Sequence, residues 1–349
     1  MPLVVQPLLG ISAMLTTLDG RSFTFPFLSW HPRDILQVSR EDSTNNMFLF
    51  QREKKLIALM YVPGKPVSRT DLQKLLFLYC QQESDKTERR TNSATYEFVP
   101  YKYGAFSFTS LHDLGRLQVK RIVEFQGEEW RLTNLGSDIA RTFVTNRIRE
   151  FSQRFELLRG DKLIAKTYRK HPFSAINSKV IDRILSNDPV TRQRIRAVTP
   201  TQSGGRLFTI GYQERSLEEY VNRLIKNNIK LLFDVRQKPI SRRYGFSKKV
   251  LSNVCSRLGI EYQHLQELGI ETHLRDGIHE KQTYATVFEH YRNVTLPERQ
   301  EKIQVINEQL LKGNRIALTC YERNHEQCHR SVLSEYIEDL LGECGVCHL

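Results

Sequence analysis

The chain has 349 residues, of which 40% are hydrophobic and 26% charged, which is enough for two or three domains with cores of their own. Its formal net charge of +13 favours a polyanionic partner, nucleic acid before an anionic membrane surface. Apolar stretches fall short of the roughly 18–20 residues that span a bilayer, and the apolar N-terminus lacks the basic region of a secretory signal. We therefore expect no membrane association, a cytoplasmic location and reduced cysteines instead of disulfides.

Residues 1–48 are predicted to form an N-terminal β-hairpin extension. Two strand-like segments within residues 12–29 flank the dipeptide Asp19-Gly20, which is a frequent hairpin turn.

Residues 49–150 are predicted to form an α+β winged-helix-like domain that binds DNA. Ser68 with Asp71 three residues later is a capping-box signature that opens the second of three helices. The segment RIVEFQGEEWRLT then predicts a two-stranded hairpin that turns at Gln126-Gly127. Three helices followed by a hairpin are the order of a winged helix.

The segments LQKLLFLYCQQ and YEFVPYKYGAFSF resemble winged-helix modules attached to bacterial defence and toxin–antitoxin proteins. The resemblance implies double-stranded DNA as a partner, although such modules also serve as protein–protein domains. The cations that would face the DNA are Lys102, Arg116, Lys120 and Arg121.

Residues 151–205 carry over half of the excess positive charge, with 11 Lys and Arg against 4 Asp and Glu. Apolar residues interleave with the cations, so the segment is predicted to be a basic helical connector. Its arginine-rich surface favours contact with the phosphate backbone, with a solvated face as the alternative. Arg192, Arg194 and Arg196 are the candidate contacts.

Residues 206–349 are predicted to form an α/β catalytic domain. Strand-like segments at 207–210, 231–233, 260–262 and 316–319 alternate with helical segments and are apolar through their length. This pattern predicts a largely parallel sheet with flanking helices.

The segments TIGYQERSLEEYVNRLIKNNIKLLFDVRQKPISRRYGFSKKVL, GIEYQHLQELGI and ALTCYERNHEQCHRSVL resemble the domain-of-unknown-function 488 family over about residues 206–336. The family name supplies no activity. The resemblance implies a link to nucleic-acid-related and defence functions, and base removal from DNA has been suggested for relatives.

In an open parallel sheet, ligands bind beyond the carboxyl ends of the strands. Three strand ends deliver polar groups to that edge, at Tyr212, at Asp234 with Arg236, and at Cys320 with Glu322. The side chains predicted to bind substrate there are Tyr212, Arg242, Arg243, Tyr244, Tyr262, His264, Cys320 and Cys328. A glycine-rich phosphate loop is missing from the sequence, so no cofactor is predicted.

The motif CYERNHEQCHR, Cys320 to Arg330, allows two other interpretations. Cys320, His325, Cys328 and His329 could ligate zinc, but their spacing fits no common zinc pattern, and we predict no metal. Cys320 could be a catalytic thiol, but Arg330 lies too far along the chain for a tight anion cradle. The nearby Cys344-Gly-Val-Cys347-His348 matches a haem-attachment motif, and we interpret it as a frayed end. The alternative is that Cys344 and Cys347 bind zinc together with Cys320 and Cys328.

We favour a base-binding pocket in which carboxylates act, because breaking an N-glycosidic bond develops positive charge on the sugar. Tyrosines would stack on a base rotated out of the duplex. The predicted catalytic residues are Asp234, Glu322, Arg236, His329 and Arg330, with a buried Asp234–arginine ion pair as the structural alternative. The sequence thus predicts a DNA glycosylase acting on a modified base in anti-phage defence. The alternatives are a winged-helix regulator with a ligand-sensing domain and a nuclease.

Overall fold

The computed structural model describes residues 48–84, 95–271, 284–342 and 345–349, with the backbone of two short strands nearer the N-terminus. The chain divides into two compact units, Met1–Thr44 and Asn45–Leu349. In the first unit, β1 (Leu15–Thr16) pairs antiparallel with β2 (Ser22–Phe23), as the predicted hairpin requires. The Asp19-Gly20 turn lies outside the described residues.

The first domain of the second unit has the element order predicted for a winged helix, with a short hairpin inserted before the third helix. Its elements are α1 (Gln51–Tyr61), β3 (Val67–Ser68), α2 (Arg69–Ser84), β4 (Val99–Tyr101), β5 (Gly104–Phe106), α3 (Phe108–Val119), β6 (Val123–Gln126) and β7 (Glu129–Leu132). The strands β3, β7 and β6 form one sheet in that order. The Ser68 Oγ accepts a hydrogen bond from the Asp71 N–H at 3.1 Å, which caps α2 as its sequence predicts.

A layer of helices follows, where the sequence predicted a connector. It comprises α4 (Asn134–Arg141), α5 (Asn146–Phe155), α6 (Gly160–Lys170), α7 (Ile181–Ile184) and α8 (Pro189–Val198). The predicted boundary at residue 150 falls inside α5, whose Phe151 and Phe155 lie in the core of the preceding domain. The later helices share a small core around Tyr168 and Ile195. The segment is therefore a packed part of the fold. Its first apolar residues pack in the core of the preceding domain, and its later ones form a core of their own.

The C-terminal domain is the predicted α/β sandwich. Its elements are β8 (Arg206–Gly211), α9 (Leu217–Lys226), β9 (Leu231–Asp234), α10 (Lys248–Arg257), β10 (Glu261–His264), α11 (Tyr284–His290), α12 (Leu296–Glu298), α13 (Gln300–Leu311), β11 (Arg315–Cys320), α14 (His329–Leu341) and β12 (Cys347–His348). A π-helical turn, Tyr291–Thr295, joins α11 to α12. The five strands pair parallel in the order β10-β9-β11-β8-β12, with β11 at the centre.

Apolar residues on both faces of each central strand explain why helices cover the sheet on both sides. On one face Phe208, Leu232 and Ala317 pack in a cluster with α9 and α10. On the opposite face Leu231 and Leu318 pack in a second cluster with α13 and α14. Alternate strand residues point to opposite faces, so continuous apolar runs require this double cover.

The last residues of the chain do not form the frayed end that we predicted. Cys347 and His348 pair in parallel with Phe208 and Thr209 and add a fifth strand to the sheet. The His348 Nδ1 also contacts the Thr209 Oγ1 at 2.8 Å. These pairings satisfy backbone groups at the β8 edge, whereas Cys344 lies outside the described residues.

A buried carboxylate joins the two domains of the second unit. Glu218 of α9 is 1% exposed and accepts hydrogen bonds from the start of α3. The donors are the Thr109 N–H and Oγ1, both at 2.8 Å, and the Ser107 Oγ at 3.1 Å. The helix that would read DNA in a winged helix is thus fixed to the C-terminal domain at its N-terminus.

None of the helices in the described residues is long and apolar enough to cross a membrane.

Candidate functional site

A cavity of about 370 Å³ opens at the carboxyl edge of the parallel sheet, above the central strand β11. The loops that follow β8, β9 and β11 contribute most of its wall, as expected where the chain order of an open sheet reverses. Its lining residues are Tyr212, Arg236, Gln237, Lys238, Ile240, Ser241, Arg242, Ile270, Tyr284, Phe288, Cys320, Tyr321, Glu322, Gln327, Cys328 and His329.

The loop after β11 is held against β8 by a glycine and an arginine. A Cβ on Gly211 would lie 1.6 Å from the Glu322 carbonyl oxygen, so only glycine permits this close approach. The buried Arg330 donates to the carbonyls of Glu322 at 2.7 Å and Arg323 at 3.2 Å. Arg330, which we predicted to be catalytic, is absent from the cavity wall and instead fixes the backbone around Glu322.

Asp234 forms a closed ion pair. It is fully buried, and its carboxylate accepts from the Arg236 Nε at 2.8 Å and Nη2 at 2.5 Å. The Tyr262 hydroxyl donates to the same carboxylate at 2.6 Å. Both oxygens are therefore occupied, and Asp234 does not line the cavity. This geometry favours the structural alternative for Asp234 over the catalytic role that the sequence predicted.

Arg236 lies in the cavity wall, although its guanidinium already donates hydrogen bonds to protein groups. Burial lowers its pKa, but the hydrogen bonds and the negative charge of Asp234 outweigh burial and raise it above the ordinary value. Its Nη1 donates to the Tyr212 hydroxyl at 3.0 Å and the Phe246 carbonyl at 2.8 Å. Arg236 consequently presents a fixed positive charge to the cavity and cannot exchange a proton there.

Of the aromatic and imidazole residues that we predicted, some line the cavity and others pack behind its wall. Tyr212 lines the cavity and stacks on Phe246, with ring centroids 4.4 Å apart. Tyr262 is engaged with Asp234, and burial followed by that negative charge raises its pKa. His264 contacts the Arg236 carbonyl through Nε2 at 2.8 Å. Tyr262 and His264 thus support the wall and do not line it.

The residues of the basic loop after β9 also lie partly in the cavity wall and partly outside it. Arg242 lines the cavity together with Lys238, and the neighbouring Arg243 is exposed outside it. Tyr244 turns away, since its hydroxyl donates to the Phe108 carbonyl at 3.3 Å and its ring lies 4.0 Å from that of His112. Tyr244 therefore belongs to the contact between the two domains, where it packs against the buried cluster that contains Phe108.

Two sulfurs and an imidazole meet in the cavity wall. The Sγ atoms of Cys320 and Cys328 and a ring nitrogen of His329 lie within 4.8 Å of one another, and all three residues are buried. The His329 Nδ1 is 3.8 Å from the Cys320 Sγ and 3.9 Å from the Cys328 Sγ. His325, the fourth residue of the zinc interpretation, instead stacks on His348 and contacts the Ser331 Oγ.

Contacts within this cluster shift the pKa values of its two thiols in opposite directions. Burial raises the pKa of the Cys328 thiol, but the Cys320 hydrogen bond and the adjacent His329 charge outweigh burial and hold it well below the ordinary value. The hydrogen bond to Cys328 and burial raise the pKa of Cys320. Cys328 is therefore the more acidic thiol of the pair, and it occupies the N-cap position of α14, where negative charge is favoured.

Glu322 is the carboxylate that lines the cavity. Its Oε2 lies 3.3 Å from the Cys320 Sγ, and its side chain is half-buried. Burial, with the negative charge of Cys328 next, raises the pKa of this carboxyl. Among the two carboxylates that we predicted, only Glu322 can therefore reach a molecule in the cavity.

The four cations that we predicted to face DNA in the winged-helix-like domain differ in their local contacts. The Arg116 guanidinium packs on Phe50 and is 3.6 Å from Glu53, while the Lys120 Nζ donates to the Phe48 carbonyl. Lys102 lies over the Tyr101 ring, and Arg121 is exposed at φ 58°.

On α8, Arg194 and Arg196 are exposed and Arg192 is half-buried. Arg192 and Arg196 line a shallow cavity of about 220 Å³, and Arg194 donates to the Arg169 carbonyl. These arginines therefore remain available to a partner.

Several cavity residues escaped the sequence analysis. Tyr321 and Lys238 follow the ends of β11 and β9, and Gln327 directly precedes Cys328, so their positions near residues that we named could have identified them. Tyr284 and Phe288 come from α11, whose return to the cavity no local pattern indicates.

Residues 216–337 match the family model described as Domain of unknown function DUF488. The match confirms the resemblance noted for the C-terminal segments and does not extend to the winged-helix-like domain. No curated protein and no solved structure matched the chain.

Proposed function

We propose, for a chain whose residues 216–337 match the DUF488 family, that the protein is a DNA glycosylase. The cavity at the carboxyl edge would receive a base extruded from double-stranded DNA, and the protein would cleave the bond between base and sugar. A modified base, a role in anti-phage defence and a cytoplasmic location belong to the same proposal.

The observation that carries this proposal is the composition of one cavity wall. Glu322 provides a carboxylate, Tyr284, Phe288 and Tyr321 provide aromatic surface, and Lys238 and Arg242 provide positive charge. A flipped base needs stacking surface, and its flanking phosphates need cations. The volume of about 370 Å³ lies in the range of small-molecule sites.

The reaction replaces the C1′–N bond by a C1′–O bond from water. As the glycosidic bond breaks, its electron pair leaves with the base and positive charge develops on the sugar. We assign Glu322 to stabilise that charge and to accept the proton from the attacking water. The departing base takes its proton from solvent or from a donor at the rim, where Lys238 lies.

His329 and Asp234 take supporting roles in this proposal. The His329 Nε2 donates to the Val235 carbonyl at 3.0 Å, and its Nδ1 faces the two sulfurs, so neither nitrogen points to a base. Asp234 is a positioning residue, because it fixes Arg236, which forms part of the wall.

The experiment is incubation of the full-length protein with unmodified duplex DNA and with duplexes that carry phage-type modified bases. Released bases are identified by mass spectrometry, and abasic sites by cleavage in hot alkali. Free base with alkali-labile strands is the expected result. Strand breaks without alkali would indicate the nuclease instead and would overturn the proposal.

A second candidate is a DNA-binding regulator whose C-terminal domain senses a ligand. The contact between Glu218 and the start of α3 favours it, because a change at the cavity domain would reach the winged-helix-like domain through this bond. Such a protein would bind DNA and leave every base attached under the same assay.

A further inference from the structure

We propose that Cys320, Cys328 and His329 bind one zinc ion, with its fourth coordination position open to the cavity. The ligand atoms are the two Sγ atoms and the His329 Nδ1. The inference goes beyond the glycosylase proposal and is independent of it, because its readout is metal binding.

The separations fit a tetrahedral thiolate and imidazole site. With Zn–S near 2.3 Å and Zn–N near 2.0–2.1 Å, a sulfur and a nitrogen on one zinc lie about 3.6 Å apart. The observed distances from the His329 Nδ1 are 3.8 Å to the Cys320 Sγ and 3.9 Å to the Cys328 Sγ. Both observed distances therefore exceed the zinc value by only about 0.2–0.3 Å.

Near-equal distances to both sulfurs are not what a hydrogen bond between one thiol and the ring would give. A ring nitrogen carries either one lone pair or one hydrogen, so Nδ1 can form a full hydrogen bond with only one of the two sulfurs, at 3.8 Å or 3.9 Å. A cation among the three atoms would attract all of them at once.

The imidazole is oriented as a metal ligand requires. The His329 Nε2 donates to the Val235 carbonyl at 3.0 Å, which leaves Nδ1 as the ligating nitrogen. Metal-bound histidines characteristically donate their other N–H to a carbonyl or carboxylate in this way. The buried Tyr291, in the π-helical turn, packs edge-on against the ring with centroids 5.5 Å apart and fixes its plane.

The fold brings the ligands together despite their spacing. Cys320 ends β11, whereas Cys328 and His329 begin α14, and the intervening loop doubles back through a short 3₁₀ turn, His325–Gln327. The four-ligand zinc interpretation included His325, which lies outside the cluster and contacts His348 and Ser331. The three residues that remain all line the cavity.

Three protein ligands with an open position are typical of catalytic zinc, and the ligand set of one histidine and two cysteines occurs among such sites. Glu322 lies beside the cluster, with its Oε2 at 3.3 Å from the Cys320 Sγ. A water molecule on the zinc would therefore stand next to a carboxylate that also lines the cavity.

The test uses reduced, metal-stripped, full-length protein titrated with Co²⁺, whose thiolate complexes absorb in the near ultraviolet and visible. We expect about one Co²⁺ per chain, with a sulfur-to-cobalt band that Zn²⁺ abolishes. Cys328→Ser and His329→Gln should weaken Co²⁺ binding by at least about tenfold. Cys255→Ser, a buried cysteine outside the cluster, and His325→Asn should bind as the wild type does.

Wild-type protein alone gives a second measurement if the variants fail to fold. Zn²⁺ should protect Cys320 and Cys328 from alkylation and leave Cys255 unaffected, as peptide mapping would show. A titration without a sulfur-to-cobalt band, an unchanged band in Cys328→Ser, or a Cys320–Cys328 disulfide in the protein as isolated would each overturn the site. Base release that continues after metal removal would contradict a catalytic zinc without touching the proposed function.

Discussion

At the scale of single residues, Gly211 determines whether the cavity wall can form. Its missing Cβ leaves room for the Glu322 carbonyl, which would otherwise be 1.6 Å away. We expect Gly211→Ala to lower the free energy of unfolding by at least about 3 kcal/mol, since backbone must move on both sides. Chemical denaturation measures the change. Gly259→Ala, at a left-handed position in open space, should cost only about 1–2 kcal/mol, and an equal cost in both variants would contradict this explanation.

Lys74 makes stability depend on pH. Burial lowers its pKa to about 7, and its Nζ donates to the Ala105 carbonyl at 2.7 Å. Above pH 7 the folded amine loses its proton while the unfolded amine keeps it up to roughly pH 10, so the free energy of unfolding rises with pH. The slope from this group approaches about 1.4 kcal/mol per pH unit.

Replacing Lys74 by Met should remove this slope between about pH 7.5 and 9.5, as urea unfolding at several pH values would show. Lys230→Met, at an exposed lysine, is the control. A variant that keeps the wild-type slope would mean that Lys74 is charged in the folded protein.

At the scale of helices and strands, the sequence predicted most of the C-terminal domain. Continuous apolar runs identified the central strands, which are buried on both faces. The short strand Cys347–His348 escaped prediction, because two residues carry no periodicity and depend on the β8 edge for pairing. The close approach of Cys320 to His329 escaped as well, since it depends on a loop conformation and not on spacing.

The contact between α3 and α9 is a prediction at this scale. Glu218→Gln replaces one of the two acceptor oxygens by an amide N–H₂. Either the Thr109 hydroxyl or the Thr109 N–H with the Ser107 hydroxyl then loses its acceptor. We expect the free energy of unfolding to fall by about 1–3 kcal/mol in denaturant titrations. Glu219→Gln, one residue along α9 and half-buried, should cost less than about 1 kcal/mol. If both changes cost the same, Glu218 does not join the domains.

At the scale of the whole molecule, the positive charge favours a polyanionic partner, and its distribution predicts where the DNA of the proposed function would bind. Residues 151–205, which include α6, α7 and α8 of the helical layer, have a net charge of +7, from 11 cations and 4 anions. A groove of about 740 Å³ on this layer is lined by Lys162, Lys166, Arg169 and Lys170. The composition indicated the charge, and the packed structure shows that four of the eleven cations share one groove.

The double variant Lys162→Gln, Lys170→Gln should weaken DNA binding equally for all sequences. We expect the salt dependence of log Kd to become shallower by about 0.9 for each phosphate that the variant no longer neutralises, measured by fluorescence anisotropy. Lys230→Gln with Lys312→Gln removes two exposed lysines that precede β9 and β11, at the opposite edge from the cavity. An identical slope in both double variants would place DNA elsewhere.

The central claim is that Glu322 acts on a base in the cavity, and the rate of base release in three variants tests it directly. Glu322→Gln should lower the single-turnover rate by at least about 100-fold with DNA affinity unchanged. Glu326→Gln, an exposed neighbour on the same loop, should keep the wild-type rate. Asp234→Asn removes the charge that fixes Arg236 in the cavity wall. It should therefore impair folding or lower the rate of base release only in part. Full activity in Glu322→Gln, with folding intact, would contradict the account.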